Sequence, residues 1–120
     1  MKALFIFFLL SSAFARDTSF DCYQSGSREK LILNITSTND FTLLFPYQIE
    51  IKLPKKTILG FGTSQETKFE EKVLVFKNLL TIKEEVLELD EGSVVKLKTP
   101  IKNFQDLDCR VTKNIKYAWN

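Results

Sequence analysis

The clearest signal along the chain is alternation. In residues 47–53, Tyr47, Ile49, Ile51 and Leu53 are separated by Gln48, Glu50 and Lys52. That is the period-two spacing of a strand with one face on a core and the other in water. Leu31, Leu33 and Ile35 repeat it, as do Phe41, Leu43 and Phe45. Residues 73–76 (VLVF) are apolar at every position and predict a strand packed on both faces. Residues 20–24, 94–98 and 107–111 complete the set. Turn formers stand between these runs, notably Ser37-Thr38-Asn39-Asp40 and Pro54-Lys55-Lys56. Pro46 has no N–H to give a ladder, so it predicts a bulge, a bend or an edge.

Residues 79–91 carry two patterns at once. Leu79, Ile82, Val86 and Leu89 would share one face of a helix, with Asn78 as N-cap and Gly92 as the stop. Against a helix, Glu88, Asp90 and Glu91 would crowd the negative end of its dipole, and Thr81, Ile82 and Val86 are β-branched. Strands are the preferred reading, with Leu80 and Ile82 on one face and Leu87 and Leu89 on another. The whole is then all-β: a small antiparallel β-sandwich or partly open barrel of about seven or eight strands. An immunoglobulin framework is disfavoured because the only Trp, Trp119, lies outside the two Cys rather than between them. The chain is also short for a full ligand-holding barrel.

The amino terminus follows a different rule. Lys2, the apolar run at residues 4–10 (LFIFFLL) and the small-x-small sequence Ala13-Phe14-Ala15 form the three-part pattern of a secretory signal peptide. The apolar stretch is too short to span a bilayer, which needs roughly 20 residues. Cleavage between Ala15 and Arg16 is expected, leaving a single β domain over residues 16–120 that is secreted or periplasmic. No later segment has the length and apolarity of a transmembrane helix. Loss of Lys2 lowers the net charge from +2 to +1, too near neutral for a protein built to grip nucleic-acid phosphates.

Export changes the meaning of the two cysteines. Cys22 and Cys109 lie near the two ends of the mature chain, and in an oxidising compartment they are expected to pair. A reactive thiol would need an activating His or a Cys-x-x-Cys partner, and the chain contains no His. The same absence removes His-based triads and the commonest metal ligand. Catalytic and metal-binding residues are therefore not expected, and no cofactor is. The adjacent pairs Glu70-Glu71 and Glu84-Glu85 would point to opposite faces of a strand. The five acids within residues 84–91 lack the spacing of a calcium loop.

Two features remain as candidate sites. Ile58, Leu59 and Phe61 form an apolar group in which Phe61 is flanked by Gly60 and Gly62 and preceded by Lys55 and Lys56. It is either an exposed loop tip that contacts a partner protein or surface, or a strand whose glycines mark a bulge and whose Phe fills the core. Asn34-Ile35-Thr36 is a glycosylation sequon, relevant only in a eukaryotic secretory pathway. Together these residues predict a monomeric, non-catalytic binding or interaction module. The alternatives are an inhibitor of an exported hydrolase, using residues 57–67 as a rigid loop, and a small hydrolase using two carboxylates.

Overall fold

A computed structural model of the chain describes residues 14–38 and 46–118. Residues 1–13 of the expected signal peptide (residues 1–15), the expected strand at 41–45 and Trp119 lie outside the described residues. The rest is all-β. The strands are β1 (Phe14–Gln24), β2 (Lys30–Thr38), β3 (Tyr47–Lys52), β4 (Thr57–Glu66), β5 (Lys72–Phe76), β6 (Leu80–Lys83), β7 (Val94–Lys98) and β8 (Asp106–Ala118). A short 3-10 helix, Glu84–Glu88, follows β6.

The eight strands form one antiparallel sheet in the order β6-β5-β4-β3-β2-β1-β8-β7. Each strand pairs with its sequence neighbour, and β8 returns to pair with β1. This is an up-and-down barrel interrupted at one seam, between β6 and β7. Of the two architectures read from the sequence, the partly open barrel is the one adopted.

The inner face is filled by the alternating residues. Phe20 and Cys22 from β1, Leu31, Leu33 and Ile35 from β2, and Ile49 and Ile51 from β3 are buried. Leu74 and Phe76 from β5, Leu97 from β7, and Leu107, Cys109 and Val111 from β8 join them. The 3-10 helix connects the two edge strands and buries Val86 and Leu87 in the same core. A bulge interrupts β8: Ser19 lies opposite Lys113 and Phe20 opposite Val111, so Thr112 has no partner in the ladder. The extra residue shifts the alternation by one position, and the side chain that next faces inward is Asn114.

Residues 79–91 follow neither reading throughout. Leu80 and Ile82 lie in β6, inward-facing as the strand reading requires. Leu87 belongs to the 3-10 helix instead of a second strand. Glu84 and Glu85 sit in the first turn of that helix, where acidic groups are favoured. Asn78 adopts a left-handed turn conformation, with φ of 59°, and does not cap a helix.

Candidate functional site

Cys22 and Cys109 are directly opposite each other in the β1–β8 ladder and form a disulfide. Both are fully buried. The link joins residues 87 positions apart and fastens the strands in which the described chain begins and ends. Ala15 and Arg16 lie in β1, opposite Tyr117 and Lys116 of β8. Arg16 would be the first residue of a mature chain, and it would enter the sheet directly.

The structure splits the apolar group at residues 58–61 between two faces. Thr57–Glu66 is a strand, not a loop, and Thr57–Gly62 stay in unbroken register with β3. Ile58 faces inward and packs against the core. Leu59 and Phe61 face outward and are 61% and 57% exposed. The glycines do not mark a bulge; they make room for close packing from within. A Cβ on Gly62 would lie 2.6 Å from both Phe76 Cδ1 and the Val75 carbonyl oxygen, and a Cβ on Gly60 would collide with Leu79 Cδ1. The inhibitor reading therefore loses the loop it relied on. Leu59 and Phe61 stand on β4 where it pairs with β3, opposite Glu50 and Gln48, and the ladder with β5 begins at Gly62.

Asn34 lies on the outer face of β2, between two neighbours in register. The Ser19 hydroxyl donates to Asn34 Oδ1 at 2.7 Å, and Asn34 Nδ2 donates to Glu50 Oε1 at 2.8 Å. A glycan on Nδ2 would project from the middle of a three-strand row and displace the Glu50 contact.

Two of the five acids in residues 84–91, Glu84 and Glu88, have definite partners. Arg16, whose side chain is only 11% exposed, makes a 2.6 Å ion pair with Glu88. The Tyr47 hydroxyl donates to Glu84 Oε1 at 3.0 Å. Lys83 pairs with Glu71 at 2.9 Å. Glu71, Glu84, Glu85 and Glu88 line an open cleft of about 370 Å³ together with Lys72 and Lys83. Arg16, through its hydrogen bond, holds the Glu88 carboxyl below the ordinary value of 4.5. Burial, reinforced by Glu84, pushes the Tyr47 phenol up to about 12. Among the described residues, no three Cys, Asp or Glu are grouped so as to hold a metal ion.

Sequence patterns missed the group that fastens the 3-10 segment. Asn114 Nδ2 donates to the carbonyl oxygens of Leu87 at 3.0 Å and Leu89 at 2.7 Å. Its Oδ1 accepts from the buried Thr18 hydroxyl at 3.4 Å. The signal available in the sequence was the break in alternation after Val111, where a polar residue takes an inward position.

No family model, curated protein or solved structure matches the chain. Among the described residues, no helix is long and apolar enough to cross a membrane. The buried disulfide is compatible with a compartment outside the reducing cytosol.

Proposed function

We propose that this chain is an exported, non-catalytic binding domain whose protein-contacting surface is centred on Leu59 and Phe61 of β4. The observation that carries the reading is the exposure of these two large apolar side chains on the outer face of a central strand. Apolar groups in a rigid, exposed position are typical of interaction surfaces. The barrel interior is occupied by its own side chains, so recognition falls to the outside.

The partners of the acidic residues also favour a non-catalytic role. Glu84, Glu88 and Glu71 are each tied to a cation or a phenol, and these ties hold the segment that bridges the open seam. A general acid at neutral pH needs a raised carboxyl pKa, whereas that of Glu88 is lowered. Export rests on the amino-terminal leader pattern and agrees with the disulfide.

The test is site-specific cross-linking. A photo-reactive side chain is placed at position 59, or on the distant outer face of β8 at Thr112, in protein expressed in its native host. The reading predicts a discrete covalent adduct from position 59 and none from position 112. Equal labelling at both positions, or none at either, contradicts it.

A further inference from the structure

Four turns gather at one end of the barrel, at residues 25–29, 53–56, 77–79 and 99–105. They carry five cations, Arg28, Lys55, Lys56, Lys77 and Lys102, against one carboxylate, Glu29. At the other end, residues 67–71 and the connection at 84–93 carry one cation, Lys68, against seven carboxylates. The described turns at the two ends of the barrel thus carry opposite charge.

Between two of the cationic turns lies a cleft of about 380 Å³, at the lower end of the ~300–1,000 Å³ range of small-molecule sites. Its floor is apolar: Phe104 is buried, and Leu53 and Ile101 are half-buried against the core. Lys55, Lys56 and Lys102 stand around it, and Glu29 is the one carboxylate in its lining. The six ion pairs among the described residues use none of these three lysines.

Both walls are fixed before any ligand arrives. The Leu53 amide donates to the Lys56 carbonyl at 2.8 Å. In the facing turn the buried Thr99 hydroxyl donates to the Phe104 carbonyl at 2.8 Å and accepts from the Ile101 amide at 3.0 Å. The Phe104 amide closes on the Ile101 carbonyl at 3.0 Å.

We propose that this cleft binds a small anionic amphiphile, with a carboxylate or phosphate head among Lys55, Lys56 and Lys102 and an apolar body on Leu53, Ile101 and Phe104. Charge complementarity selects the head, and the recessed apolar floor selects the body. A free molecule fits better than a membrane surface. The strongly exposed large hydrophobic residues among those described are Tyr23, Leu59, Phe61, Phe69, Val94 and Ile115, and none lies on the four turns. This end therefore lacks the apolar tips that insert between lipids. The site is separate from the β4 face and stands whether or not that face has a partner.

The probe is octanoate, titrated below its micelle-forming concentration into the isotope-labelled mature domain and followed by amide chemical shifts. Saturable shifts confined to residues 53–56 and 99–105 are expected. Octanol, with the same chain and no charge, should bind at least about tenfold more weakly, as should octanoate to the triple variant K55Q/K56Q/K102Q. The three lysines are exposed, so the variant's remaining shifts should match the parent's and report an intact fold. The proposal is overturned by absent shifts, by equal binding of octanol, by an unaffected triple variant, or by inorganic phosphate binding as tightly as octanoate. Association with vesicles rich in phosphatidylglycerol, without binding of free octanoate, would assign the lysines to a membrane and overturn it too.

Discussion

Asn114 reaches from β8 to Leu87: its Nδ2 donates to the Leu87 carbonyl across 3.0 Å. The same nitrogen serves the Leu89 carbonyl. One side chain thereby satisfies two backbone acceptors in the connection from β6 to β7 across the open seam. Removing it leaves those acceptors without their donor, at a cost of roughly 1–3 kcal/mol. Asn114→Ala should lower stability by about that amount in urea unfolding, and should speed amide exchange within residues 84–93 above all. Asn114→Asp should be at least as damaging, because it sets a carboxylate against two carbonyl oxygens. Unchanged exchange in that segment would show that Asn114 does not hold it.

The two glycines of β4 should respond differently to an added methyl group. At Gly62 the methyl meets the Val75 carbonyl oxygen at 2.6 Å, and backbone cannot move aside. Gly62→Ala should cost about 1–3 kcal/mol. At Gly60 the obstacle is the end of the flexible Leu79 side chain, which can turn away, so Gly60→Ala should cost less. Thermal unfolding of the two variants checks the order; the reverse order would contradict the packing described.

Burial of the Tyr47 phenol, reinforced by its contact with Glu84, makes stability depend on alkaline pH. The folded phenol titrates at about 12, above its ordinary 10.0. A raised value means that the fold favours the protonated phenol, so the contribution is complete below pH 10 and lost between pH 10 and 12. It should amount to about 1 kcal/mol after solvent screening is allowed for. Tyr47→Phe should flatten the stability profile in that window relative to the parent. For Glu88 the sign is opposite: its folded value lies below 4.5, so its contribution is present above pH 4.5 and fades as acid protonates it. Arg16→Gln should remove that acid-side slope.

The disulfide closes nearly the whole domain, joining cysteines 87 positions apart. In the chain-entropy model such a loop contributes roughly 4–5 kcal/mol as an upper bound. The double variant C22A/C109A should unfold at markedly lower denaturant concentration, with added loss from the cavity left by two buried sulfurs. An equal midpoint for both proteins would exclude a stabilising role.

Much of the barrel was legible because its inner face is so regular. β2 and β3 keep apolar residues at every second position; β5 is an inner strand as read, but its outward Val73 and Val75 are only half-buried, so the packing expected on both faces forms on one. The disulfide was expected from two cysteines and the pattern of an export leader. What escaped was local exception. β4 has glycines on its inner face and its largest apolar residues on the outer one, which inverts the usual reading of Phe. β8 continues to Ala118, but its bulge at Thr112 turns the pattern over and makes the strand seem to end at Val111. In residues 79–91, four residues of strand run straight into a 3-10 helix, so each pattern held for only part of the segment. The cleft beneath Lys55, Lys56 and Lys102 was hidden because its walls come from turns far apart in sequence.

Intact-mass spectrometry of the protein recovered from its native host, without reductant, tests the central claim of an exported, sulfur-stapled barrel most directly. The predicted mass is that of residues 16–120 less the two thiol hydrogens lost when Cys22 and Cys109 pair. A chain that still begins at Met1, or one that carries both thiol hydrogens, would contradict it.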